Sequence, residues 1–385
     1  MCLVIVVVIN FLGAGAYAEC EFWFASIKVI TIVGLIILGI IISAGGGPEG
    51  EKIGFKYWKD PGPLHQFADI PGTLGRFLGF FAVLTQAAFS YIGTEIVALA
   101  AAEAKNPRRN LPRAIKSVFI RILVFYLGGT FVIGIIVPSN DPSLRLSSGI
   151  AKSPWVIAIR NAGIPVLPSI INACLITSAW SAASSDLYTS SRALYALSIT
   201  RQAPKIFSRC TARGLPWVSL IFCTLFASLA YMSLQSTAGT VFGYLANLTA
   251  AAGLLTWWGI AFTYVRFAKG LKAQGIDRKT LPYWSRLNTG SFAAYYSLTL
   301  ISIILFFSSY NVFLKGAWDA PTFVTNYLPV FLYPCLFIAW KVFKKTKFIR
   351  PEDMDFYSGL EEIEAETYDE PPPRNVFEKI WSVMF

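Results

Sequence analysis

Long apolar stretches recur along this chain, separated by short polar segments rich in glycine and proline. Crossing the hydrocarbon core of a bilayer, about 30 Å thick, takes roughly 20 apolar residues in a helix. The chain supplies that length near 25–45, 77–102, 117–138, 163–198, 216–235, 240–265, 292–313 and 325–343, which predicts eight complete spans. The helix-breaking residues fall between them: GGGPEG after the first span, KNPRRNLPR at 105–113, PSNDPS at 138–143 and ARGLP at 212–216. That placement is what a bilayer demands, because irregular backbone cannot face lipid. The opening stretch MCLVIVVVINFLGAG is apolar but too short for a full crossing. It has no basic region ahead of it and no clear cleavage site, so it reads as the back half of a helix rather than a signal peptide.

Composition agrees. Hydrophobic residues make up 55% of 385 positions, charged residues 14%, and the mean hydropathy is +0.55. A soluble domain could not cover itself from such a pool. A net charge of +11 taken alone suits a nucleic-acid partner, but the distribution of charge points to a membrane instead. Lys and Arg number six in 103–121, four in 199–215, six in 266–286 and five in 341–350, against four in 46–76, three in 139–160, none in 234–240 and one in 311–324. By the positive-inside rule the richer set, and with it the C-terminus, is cytoplasmic. The six cysteines show no CxxC spacing and suit packing better than metal or disulfide. Residues 1–345 read as a transmembrane domain. Residues 346–385 read as a cytosolic tail, with nine acidic residues between Glu352 and Glu370 and room for trafficking partners.

Polar residues inside the spans carry the candidate chemistry. FSYIGTE places Ser90, Tyr91, Gly93, Thr94 and Glu95 within one span. Gly93 weakens the helix and the hydroxyls can bond freed backbone groups, so a break is expected, of the kind transporters use to hold substrates and ions. Glu95 either binds an ammonium group, joins a network that locks the break, or packs as a neutral acid. Lys28 is read as lying one turn inside the cytoplasmic end of the 25–45 span. It either snorkels to the interface or, held out of water, gains and loses protons near neutrality. The 163–198 stretch is dense in Ser, Ala and Thr, which favours close helix packing; Asn172 and Ser178 lie where they could face a cavity, and Asp186 and Arg192 lie toward its inner end. No hydrolase, metalloprotease, phosphate-loop or dinucleotide motif is present. With one histidine, His65, the chain has little equipment for an enzyme, and neither metal nor cofactor is expected.

Several long stretches resemble fungal plasma-membrane amino acid permeases, the yeast amino acid transporter family of the amino acid–polyamine–organocation superfamily. They include VINFLGAGAYAECEFWFASIKVITIVGLIILGIIIS, AAFSYIGTEIVALAAAEAKNPRRNLPRAIKSVFIRILVFYL, IGIIVPSNDPSL and SPWVIAIRNAGIPVLPSIINA. The resemblance implies an all-α integral membrane protein with a LeuT-like core of inverted repeats. It implies that Met1 falls within helix 4 of twelve, that 25–45 is helix 5 and the FSYIGTE span helix 6, and that helices 1–3 are lacking. It further implies amino acid transport by proton symport and alternating access at the plasma membrane. Substrate contacts would come from Ser90, Tyr91, Gly93, Thr94, Glu95, Asn172 and Ser178, with Lys28 in proton coupling. The partners would be an amino acid, a proton and the lipid bilayer, with no nucleic acid. A sensor without appreciable flux, or an inactive truncated permease, is the alternative.

Overall fold

The computed structural model describes residues 2–48, 50–64, 66–67, 70–99, 106–145, 153–234, 238–281, 284, 291–314, 316–365, 367–368 and 375. Among them all regular structure is helical. The principal helices are α1 (Cys2–Phe11), α2 (Ala14–Ser43), α3 (Gly72–Tyr91), α4 (Ile96–Leu99), α5 (Pro107–Ile122), α6 (Gly128–Ile136), α7 (Pro154–Asn161), α8 (Leu167–Ile199), α9 (Trp217–Ala227), α10 (Ala238–Ala273), α11 (Phe292–Phe306), α12 (Ala320–Lys344) and α13 (Leu360–Ala365). A π-helical turn, Leu123–Leu127, joins α5 to α6 within one apolar stretch.

Five described stretches are long and apolar enough to cross a membrane: Ala14–Ser43, Gly72–Tyr91, Asn110–Ile136, Gly239–Ala273 and Ala320–Lys344. Helix α8 runs for 33 residues and matches the predicted 163–198 span in length, but its serines and charges lower its hydropathy. The expected outer loop, 46–76, tucks Trp58 against α6, where its indole N–H donates to the Gly134 carbonyl at 2.8 Å. His65 lies outside the described residues.

One boundary changes the reading of a site residue. Helix α2 begins at Ala14, eleven residues before the expected start. Its first turns contain Glu19 and Glu21, whose charge resembles that of a loop, yet both lie within the helix, Glu19 accepting from Trp23 one turn on and Glu21 from Ser181 of α8. Lys28 therefore stands near the middle of a 30-residue helix, about 21 Å along its axis. A position one turn from the helix end is not what the fold gives it.

The chain forms two compact units, Met1–His65 with Ile120–Val241 and Gln66–Phe119 with Phe242–Phe385. In the first, α2, α6 and α7 share a core that includes Ile42, Val132, Ile136 and Ile157, while Val6, Leu187 and Leu220 join α1, α8 and α9. The buried Asn10 amide pins α1 to α8 by donating to the Ser184 carbonyl at 3.2 Å and the Ser184 hydroxyl at 3.0 Å. In the second unit, Ala88 of α3 packs with Ala251, Leu254 and Leu255 of α10 and Ile301, Ile304 and Leu305 of α11.

The acidic segment after Arg350 keeps side chains such as Glu352, Asp353 and Glu361 exposed, as a solvated tail requires. Its backbone is nevertheless tied down. The Gln274 amide at the end of α10 lies within hydrogen-bond distance of three carbonyls, Pro351 and Glu352 at 3.2 Å and Met354 at 2.7 Å. Arg266 bonds the Ile349 carbonyl, and the Phe356 ring meets Phe267 edge to face. Farther on, Glu364 pairs with Arg108 at 3.2 Å.

Candidate functional site

The second unit contains the break that FSYIGTE predicts. Helix α3 ends at Tyr91, Ile92 is extended (φ −60°, ψ 140°), and Gly93 adopts φ +104° before α4 begins at Ile96. Only glycine takes that φ without strain. The last carbonyls of α3 lose their helical partners, which leaves backbone oxygens near Ser90 and Tyr91 at a helix end that carries partial negative charge. Ser90 is exposed and Tyr91, Gly93, Thr94 and Glu95 are half-buried.

Glu95 closes the break. Its Oε2 accepts from the Gly93 backbone N–H at 3.2 Å, from the Thr94 hydroxyl at 3.4 Å and from the Trp257 indole N–H of α10 at 3.0 Å. A carboxylate inside a membrane is costly, roughly 2.5–3.5 kcal/mol on insertion scales, and three donors offset much of that. The register of α10 against the break is set by Gly253, where an added Cβ would sit 2.6 Å from the Ile92 Cδ1. Any larger residue there would displace Ile92 and the turn it leads into.

The first unit holds the second candidate group. Lys28 lines a cavity of about 420 Å³ together with Thr31, Tyr126, Thr130, Cys174 and Ser178. On its other side the ammonium donates to the Ser181 hydroxyl at 2.5 Å and lies 3.4 Å from Glu21 Oε1. Ser181 is fully buried, and its Oγ is 2.8 and 2.6 Å from the two Glu21 carboxylate oxygens. The three side chains close a triangle. Glu21 and Lys28 are seven residues apart, two helical turns, and so share one face of α2.

The fold brings Lys28 of α2 and Ser178 of α8 to one cavity. It does not bring Asn172 there. Six residues along a helix is well short of two full turns, so Asn172 points into a different cavity with Arg160, Pro168 and Ser169. Its side-chain oxygen is buried without a hydrogen-bond partner among the described residues. Sequence reasoning missed Glu21, Ser181 and Trp257. Seven-residue spacing of opposite charges in an apolar helix was the available signal for Glu21. Ser181 was hidden in a run of serines, several of which do pack as expected: Ser191 and Ser198 are buried and return their hydroxyls to carbonyls three residues back. Nothing local marks Trp257 as a partner of a residue 162 positions away.

Comparison with known proteins adds identity to this geometry. Residues 1–350 match the family model described as amino acid permease. The chain is 41% identical over 369 residues to the dicarboxylic amino acid permease of Saccharomyces cerevisiae, covering 94% of this chain and 60% of that protein. It is 39% identical over 389 residues to the lysine-specific permease of the same yeast, covering 99% and 62%. It is 37% identical over 392 residues to the proline-specific permease of Emericella nidulans, covering 100% and 70%. The chain thus spans about three fifths of the length of the first two relatives. Those names range over acidic, basic and imino substrates, so they carry no single substrate class with them. With helices throughout the described residues, apolar spans and a match over most of its length, the chain belongs to the amino acid permease family, a family of membrane transporters with the LeuT-like fold and not of enzymes.

Proposed function

We propose that this chain carries out proton-coupled symport of an amino acid across the fungal plasma membrane, with its C-terminus in the cytoplasm. The observation that carries this reading is the helix break at Ile92–Glu95, its turn fixed by a carboxylate, in a chain of the permease family. Carbonyls freed at the end of α3, with the side chains of Ser90, Tyr91 and Thr94, attract the substrate ammonium. Gly93 supplies the turn. Glu95 keeps its N–H donors in place and presents negative charge nearby. In the first unit Ser178 lines the cavity onto which Lys28 opens, and Lys28 binds and releases the coupling proton. The driving force is the proton gradient plus the membrane potential, about 2.3 kcal/mol per charge for each 100 mV. Alternating access rocks one structural repeat against the other around the break.

The test is uptake of each radiolabelled amino acid by a permease-deficient fungal strain expressing the gene's full open reading frame. Saturable uptake that acidifies the cytosol is expected for at least one substrate, and Glu95→Gln, which keeps shape but not charge, should lower it by about tenfold or more. Binding without flux would make the protein a sensor. Wild-type kinetics in Glu95→Gln would reduce Glu95 to a packing residue.

A further inference from the structure

The Lys28 triangle contains more than a lysine. A lone snorkelling lysine needs no partner, whereas this one is met by a carboxylate on its own helix and by a hydroxyl on the next, with that hydroxyl touching both carboxylate oxygens. One hydroxyl has one hydrogen to give and two lone pairs to receive. It can accept from an ammonium while donating to a carboxylate, and it can equally accept from a carboxylic acid while donating to an amine. Both patterns are neutral overall and use the same three side chains in the same places.

We propose that Glu21 takes the proton that Lys28 releases, and that Ser181 relays it. The statement rests on the assignment of proton coupling to Lys28 made above. In the step, an N–H bond of the Lys28 ammonium breaks as an O–H bond forms on Ser181. The original O–H bond of Ser181 breaks as one forms on Glu21. The electron pair of the broken N–H bond stays on the lysine nitrogen, the serine ends as it began, and no other reactant is needed. The geometry gives the transfer a direction along the helix. Lys28 opens onto the 420 Å³ cavity with Ser178, while Glu21 lies two turns nearer the N-terminal end of α2. The side chains of Lys28 and Glu21 are 33% and 28% exposed, so both ends of the relay reach outward while its middle, Ser181, is sealed.

Other titratable groups are near enough to matter and do not duplicate this arrangement. On α2 itself stand Tyr17, Glu19 and Cys20. Tyr17 donates to Ser185 at 3.0 Å and stacks on Tyr188, and Glu19 accepts from Trp23. On α8 stand Cys174, Asp186, Tyr188 and Arg192, whose guanidinium lies 3.2 Å over the Tyr188 ring. The segment leading into α6 brings Tyr126 to the cavity. From α1 and α6 no charged residue reaches the group.

The experiment compares variants expressed from the full open reading frame, by fluorescent fusion for surface amount, uptake of a radiolabelled amino acid mixture across external pH, and exchange of preloaded label. Lys28→Met tests the underlying assignment and should abolish pH-driven accumulation while exchange persists. Glu21→Gln removes the acceptor of the relayed proton together with its negative charge, so pH-driven accumulation should fall about tenfold with exchange retained, and the half-maximum of the remaining uptake should move toward acid. Ser181→Ala should cut accumulation about tenfold with exchange retained, and Ser181→Thr, which restores a hydroxyl, should recover it. A purely structural role would lower surface amount or rate without moving the pH midpoint or favouring threonine over alanine. If Lys28→Met loses accumulation but Glu21→Gln and Ser181→Ala keep the wild-type pH profile, the relay is overturned and the lysine assignment stands. If Lys28→Met keeps the wild-type pH dependence, that assignment falls and the relay with it. Should Glu21→Gln fail to reach the surface, the alanine and threonine pair at Ser181 decides alone.

Discussion

In the first unit, Lys28 and Glu21 stand on an unbroken helix and reach across to Ser181 of α8; in the second, Glu95 stands in a break and turns back on the backbone beside it. The difference follows from where the backbone hydrogen bonds go. An intact helix satisfies its own N–H and C=O groups, so its polar side chains are free to pair with one another and to exchange protons. A broken helix leaves backbone groups open, and a side chain is drawn into closing them. A charged residue in a membrane span therefore has two distinct physical uses, and the surrounding backbone decides which applies.

The largest test of this contrast is at glycine. Gly93→Val places a β-branched residue at φ +104°, a strain of roughly 1–3 kcal/mol or more at the turn. Uptake should fall below about a tenth of wild type while the protein still reaches the cell surface, because one turn is perturbed and not a core. The matched change in the unbroken helix is Gly34→Ala in α2, where an added Cβ meets nothing within 4 Å. There alanine is the better helix former, and uptake and surface amount should stay within about twofold of wild type. Equal effects of the two substitutions would erase the distinction between the units.

How much of this was legible beforehand follows the same line. Apolar length predicted five of the eight expected spans as long apolar helices because the bilayer thickness sets it, while the stretches expected at 216–235 and 292–313 form shorter helices; the break at Gly93 was legible because glycine between hydroxyl residues is a local signal. The start of α2 was not, since Glu19 and Glu21 look like loop residues until Trp23 and Ser181 of α8 are seen to meet them. Trp257 and Ser181 could not be chosen from sequence, because their roles depend on pairings 162 and 160 residues apart. Ser178 and Asn172 looked equivalent in a linear string, and only the helical angle between them separates their cavities.

A smaller effect is expected at Trp257. Phenylalanine there keeps an aromatic ring against α3 but deletes the N–H that Glu95 accepts at 3.0 Å. A hydrogen bond to a charged group is worth about 1.5–3 kcal/mol, yet the Gly93 N–H remains as a donor. Trp257→Phe should therefore lower uptake about tenfold at most, less than Gly93→Val, and a double variant with Glu95→Gln should show no further loss. Additive losses would mean that the indole acts on something other than the carboxylate.

The smallest effect belongs to the tail, where the second unit again uses a side chain to satisfy open backbone. Gln274 serves the carbonyls of Pro351, Glu352 and Met354, and the chain then turns at Asp355, which accepts from the backbone N–H of Tyr357 at 2.9 Å and of Ser358 at 3.0 Å. The Ser358 hydroxyl, followed by those two N–H groups, pulls the Asp355 carboxyl from its ordinary 3.8 down to about 2. Because the folded form is the more acidic one, the turn is favoured above the ordinary value and lost only as pH falls through about 2. It should thus be intact at any pH near neutrality, leaving Gln274 as the adjustable contact. Gln274→Ala should leave uptake within about twofold of wild type and speed cleavage after Glu352 by a glutamate-specific protease several-fold, as expected when a local opening becomes easier. That acceleration should be the same at about pH 6 and pH 8, since no group in the turn titrates between them. An unchanged cleavage rate would show that Arg266 and Phe267 hold the segment without help from the amide.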